Sequence, residues 1–137
     1  MTGDLHAEAV SAITTAEARH PNLARDGFYP RKTWKGLLER SQASMPTPEQ
    51  VAVSIAYLRL HAPKRAVRAY VLKHSAEDWG EANGMESYVP VGAVIIAAIH
   101  LCLSIRIEPK ESLPGYHVSL PMNDIVWIAP RVKARHE

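Results

Sequence analysis

The side chains best suited to metal or nucleophile chemistry in this chain are its seven histidines and its one cysteine. His100 and Cys102 stand two apart, with His74 upstream and His117 downstream. Zinc sites draw their ligands from short C-x-x-C or H-x-x-x-H spacings, and neither spacing occurs. Residues two apart on a helix point to different faces, so His100 and Cys102 read as a core histidine and a buried thiol. His74 and Glu77 are spaced to meet on one helix face, as in half of a di-iron carboxylate site. No second Glu-x-x-His helix supplies the other half, so they read as a capping or surface pair. No Ser or Cys lies in a nucleophile elbow, and neither a phosphate loop nor a dinucleotide fingerprint is present. The expectation is a protein without enzymatic activity, metal or cofactor.

The cations carry a stronger signal. Arg59, Lys64, Arg65, Arg68 and Lys73 fall in one stretch without an acid, and Glu77, Asp78, Glu81 and Glu86 follow without a base. A second cationic group, Arg31, Lys32 and Lys35, lies beside Tyr29 and Trp34. Such groups supply phosphate contacts to a nucleic acid, or they are solubility patterning. The formal net charge is only +2, so an anionic partner is permitted and not demanded.

These residues need elements to position them. Leu5, Ala9, Ile13 and Ala16 predict a first helix over residues 4–19 with a thin apolar stripe. Residues 23–32 read as an ordered loop with Phe28 and Tyr29 plugging a core edge, and Trp34 begins a short helix over 34–41. Thr47, Pro48 and Gln50 form a capping-box start, and Val51, Ile55, Leu58 and Ala62 give that helix one inward face, closed by Pro63. Residues 64–79 predict a basic helix with Val67, Val71, Ser75 and Trp79 at helical spacing. Gly80 and Asn83-Gly84 turn the chain. Glu77 and Asp78 sit near the end of that helix, where its dipole disfavours them. A loop salt bridge or an external partner explains them equally.

Residues 91–103 are apolar on nearly every side, which predicts a central buried helix or half of a dimer seam. Gly92 and Ala97 would let another backbone approach. Ile105 and Ile107, then Tyr116, Val118 and Leu120, alternate with polar residues around a Gly-containing loop and predict a hairpin. Residues 125–128 read as a strand or a helical turn, and 131–137 as a basic tail.

At 137 residues the chain suits one core. It divides into an N-terminal helical arm and connector (1–46), a compact helix-bend-helix-hairpin part (47–130) and the tail. One cysteine precludes an intrachain disulfide and points to a reducing cytoplasm. The N-terminus lacks a secretory pattern, and the apolar stretch 89–105 falls short of the roughly 20 residues a membrane span needs.

The segment Tyr-Val-Leu-Lys-His-Ser-Ala-Glu (70–77), with Tyr88-Val89-Pro90-Val91-Gly92 and Ile95-Ile96-Ala97-Ala98, resembles a set of uncharacterised small proteins of alphaproteobacterial plasmids, phages and integrative elements. Where those proteins tend to carry Gly after the apolar helix, this chain has Cys102. The resemblance implies an accessory role on a mobile element, such as a small regulator or an inhibitor of host defence. It transfers no functional residue.

Together these readings predict a mainly helical domain with a small hairpin, close to a winged helix-turn-helix, cytoplasmic and dimeric. Regulatory DNA binding would use Arg65, Arg68 and Lys73, helped by Arg31, Lys32 and Lys35. The helix expected in the recognition position offers almost no side chain to a base edge, so those cations would have to make the contact. The alternative is a protein-interaction module working as an inhibitor or adaptor, with Glu77, Glu81, Gly92 and Ala97 at its surface.

Overall fold

In a computed structural model the chain is mainly helical, with two small antiparallel sheets among the described residues. The structure describes residues 3–29, 38, 40–108 and 125–131. In chain order the elements are α1 (Gly3–Arg19), β1 (Leu23–Ala24), β2 (Gly27–Phe28), α2 (Pro48–Leu60), β3 (Val67–Arg68), α3 (Ala69–Ala82), α4 (Val91–His100), β4 (Ser104–Glu108) and β5 (Ile125–Ala129). No helix among the described residues is long and apolar enough to cross a membrane.

The thin stripe of α1 suffices because it is made of small residues. Ala9, Ala12 and Ala16 are buried in one core with α2 and α4, so α1 packs closely against them. The expected loop after it folds into a two-residue hairpin, in which Leu23 pairs with Phe28 and both are buried. Gly27 at φ 115° makes the return possible. The capping box of α2 forms: the Thr47 hydroxyl accepts from the Gln50 N–H at 3.2 Å, and the Gln50 side chain accepts from the Thr47 N–H at 2.9 Å. Ala62, expected inward, lies beyond this helix and is exposed.

The largest departure is the expected basic helix. Lys64 and Arg65 lie in an irregular segment, Val67 and Arg68 form β3, and the helix begins only at Ala69. Tertiary pairing overrides the helical spacing here, because Val67 pairs with Ile128 and Arg68 with Trp127 of β5. The buried face shifts too. Ala69, Leu72, Ala76 and Gly80 face the core, while Val71 is half exposed. Small residues are required on that face: a Cβ on Gly80 would stand 2.6 Å from the Glu86 carbonyl oxygen and 2.9 Å from Val53 Cγ1. Gly80 therefore packs inside the helix, and the turn falls to Asn83 and Gly84, the latter at φ 68°.

The greasy segment is interior, as expected, and Gly92 through Ala98 are all buried. Gly92 sits so near the β1–β2 turn that a Cβ would overlap the Ala24 carbonyl oxygen at 2.0 Å. The helix stops at His100. The Cys102 N–H donates to Ile99 at 3.1 Å and the Leu103 N–H to Ala98 at 2.9 Å, with Cys102 in the left-handed region at φ 61°. The position where Gly is usual after a helix is thus filled by Cys, and its thiol is exposed rather than buried.

After the turn β4 pairs with β5 from Ser104↔Ala129 to Glu108↔Ile125, and β5 pairs on its other side with β3. The order is β3-β5-β4. Residues 125–128, open between strand and helical turn in sequence, are the central strand. The expected partner strand at Tyr116–Leu120 lies outside the described residues.

Candidate nucleic-acid interface

Two kinds of cation emerge from this fold. The first kind is held by carboxylates. Glu8 of α1 reaches across to the last turns of both α2 and α4. Its carboxylate takes a two-pronged pair from Arg59, one arm at 3.1 Å, and a contact from His100 Nε2 at 2.7 Å. The Arg59 hydrogen bond, then that of His100, lowers the Glu8 pKa to about 2 from an ordinary 4.5. The same bond raises the pKa of Arg59. Three helices are therefore fastened at one carboxylate.

Glu77 does a similar job on α3. It accepts from Lys73 Nζ at 2.9 Å and from the Val89 N–H at 3.1 Å, with His74 Nδ1 at 3.7 Å. Burial alone would raise its pKa. The Val89 N–H and then Lys73 outweigh that, leaving the group below the usual carboxylate range. The acid that looked misplaced against the helix dipole is thus an internal anchor for the chain entering α4. Lys73, expected at phosphates, is bound to it and half-buried between the rings of Tyr70 (5.6 Å) and Tyr88 (5.9 Å).

The second kind is open. Lys64, Arg65 and Arg68 are exposed and have no acidic partner among the described residues. Arg68 and Arg106 are the direct neighbours of Trp127 on the strands either side of β5. Directly paired residues share a sheet face, so the three form a row across it. The Arg68 guanidinium lies 5.5 Å and that of Arg106 5.3 Å from the Trp127 ring centroid. On the opposite face Val67, Ile128 and Ile105 meet the core.

The remaining expected site residues fall in three places. Arg31, Lys32 and Lys35 lie outside the described residues. Glu81 is exposed on the last turn of α3, where no partner holds it among the described residues. Gly92 and Ala97 are buried, and the close approach they allow is made by this chain's own β1–β2 turn and core. Among the described residues no group of three His, Cys, Asp or Glu is placed to hold a metal ion.

No family model, curated protein or solved structure matches this chain. Its chemistry has to be read from the arrangement itself.

Two features of the site leave no local mark in the sequence. The Glu8 clamp joins residues 51 and 92 positions apart, a separation that spacing rules do not reach. Trp127 is flanked by Ile125, Val126 and Ile128, so no alternation marked it as outward. Only the pairing of β5 with both neighbours brings Arg68 and Arg106 to it.

Proposed function

We propose that this chain is a small regulatory DNA-binding protein that grips phosphates through Lys64, Arg65 and Arg68. The observation that carries the reading is the contrast just described: these cations are exposed and without acidic partners among the described residues, whereas Arg59 and Lys73 are occupied by carboxylates. Cations left unpaired are the ones able to exchange small counterions for a polyanion.

The element order from α2 to β5, with sheet order β3-β5-β4, supports reading this part as a winged helix-turn-helix with β4 and β5 as the wing. The helix in the recognition position is α4, and it lies beneath α1 and the β1–β2 hairpin. Base-edge reading by that helix has no side chain to use, so contact runs to the backbone and is sequence-tolerant. A place on a mobile element rests on the resemblance of residues 70–98. A mobility-shift series with generic duplex DNA at two salt concentrations tests the reading: retardation at low salt that fades at higher salt is expected, and no retardation at low salt ends it.

One observation favours a second reading. Tyr70, Val71 and Tyr88 are large exposed apolar side chains, at 60 %, 50 % and 43 % exposure. Such a group suits docking of a protein partner by an inhibitor or adaptor, with Glu81 on the same helix. A single stoichiometric partner lost on Tyr70→Ala and Glu81→Lys would favour it over DNA.

A further inference from the structure

Resting on the nucleic-acid reading above, we infer that the outer face of the three-stranded sheet is a binding platform for unpaired nucleotides, with Trp127, Arg68 and Arg106 as its stacking surface. Three observations converge on this face. First, Trp127 sits on the central strand with a guanidinium from each neighbouring strand over its ring, so an arriving base would extend an existing cation–π stack. At the usual strand spacing the row is about 10 Å wide, room for two or three bases.

Second, the row is electrostatically unfinished. Two like charges flank one ring, and among the described residues Arg68 has no acidic partner and Arg106 has a single exposed ion pair, to Glu108 at 3.7 Å. Arg106 remains 64 % exposed. A cation–π contact orients the guanidinium plane and leaves its charge unneutralised. An arriving phosphodiester supplies the missing anion, and its base supplies a face to stack on. Third, the Trp127 Nε1–H is buried beneath the row and has no acceptor among the described residues, so the ring is not locked by a hydrogen bond of its own.

Duplex DNA is served less well. Its bases are already stacked, and the one helix in position to enter a groove, α4, is interior. Single strands expose both phosphates and base faces to a sheet, and stacking there tolerates any sequence.

The test is a fluorescence titration of the full chain with oligo-dT and oligo-U of about 15 nucleotides, a duplex of the same length, and inorganic polyphosphate. Single strands are expected to bind tighter than duplex and to quench tryptophan emission. Polyphosphate is expected to compete without quenching. Trp127→Phe should remove the quench, leaving the signal of Trp34 and Trp79. Arg106→Ala should weaken single-strand binding by at least about fivefold with an unchanged melting midpoint. A preference between oligo-dT and oligo-U identifies the natural strand as DNA or RNA and supports the platform in either case. Equal or tighter duplex binding, or a quench that survives Trp127→Phe, overturns the platform while leaving phosphate binding standing. Absence of binding to every polyanion at low salt overturns both.

Discussion

The junction at Glu8 and the sheet face at Trp127 each gather two basic side chains around a central group, and they end in opposite states. At the junction the central group is a carboxylate, so Arg59 and His100 are matched and three helices are tied together. On the sheet face the central group is an indole ring, which cancels no charge: among the described residues Arg68 has no acidic partner, and Arg106 has only the exposed pair with Glu108. The lesson is that a cation's availability depends on what it packs against. Lys73 and Arg68 stand five apart in one basic stretch, yet one is bound to Glu77 and the other is open. The closed clusters should govern stability, and the open one should govern ligand.

The sharpest way to break that division is Glu77→Ala. It strands the Val89 N–H and the half-buried Lys73 ammonium, and should lower unfolding free energy by about 2 kcal/mol. Urea denaturation reads the loss, while nucleic-acid affinity of the folded fraction should not change. A stability change near zero would make Glu77 an ordinary surface acid.

Glu8→Gln comes next, at about 1–2 kcal/mol, reduced from the full pKa difference because the side chain is a quarter exposed. It also carries a pH signature. The carboxylate titrates near 4.5 when unfolded and about 2 when folded, so the unfolded chain binds the proton first. Its contribution is complete above pH 4.5 and disappears as pH falls towards 2. Glu77 is shifted in the same direction. Urea midpoints of Glu8→Gln should therefore fall less steeply over that acid window than those of the parent. Parallel slopes would remove Glu8 from the account of acid stability.

How much of this was legible follows from where the information lies. The capping box at Thr47 and the interior position of residues 92–98 are local or compositional signals, and both appear as expected. The inward face of α3 is not legible from spacing, because it is built of small rather than large apolar residues. Close contact with Val53 and the Glu86 backbone instead demands Ala76 and Gly80 there. β3 reads as helix in the sequence because its pairing partner, β5, lies some sixty residues downstream. Of the candidate site, Arg65 and Arg68 were legible as charges. Their freedom, the loss of Lys73 to Glu77, and the part of Trp127 and Arg106 depended on contacts that no local window contains.

A smaller effect sharpens the closed side of the comparison. The helix that delivers His100 to the clamp ends on Cys102 at φ 61°, a conformation unfavourable for any residue with a Cβ. Cys102→Gly should stabilise by about 1 kcal/mol and leave binding untouched. The companion end of α3, where Gly84 already occupies this conformation at φ 68°, should lose a similar amount on Gly84→Ala. Thermal melts of the two variants moving the same way would contradict this assignment. Smallest of all, Arg68→Ala and Arg65→Ala should alter stability by no more than about 0.5 kcal/mol, because neither touches a carboxylate.

The decisive measurement is the salt dependence of affinity for generic duplex DNA, compared between the parent chain, Arg65→Ala/Arg68→Ala and Lys73→Ala. Each phosphate contact adds about one to the slope of log affinity against log salt. The division of cations into occupied and open predicts that the double variant loses about two from that slope while Lys73→Ala keeps the parent value. A slope that drops with Lys73→Ala and survives loss of Arg65 and Arg68 would contradict it.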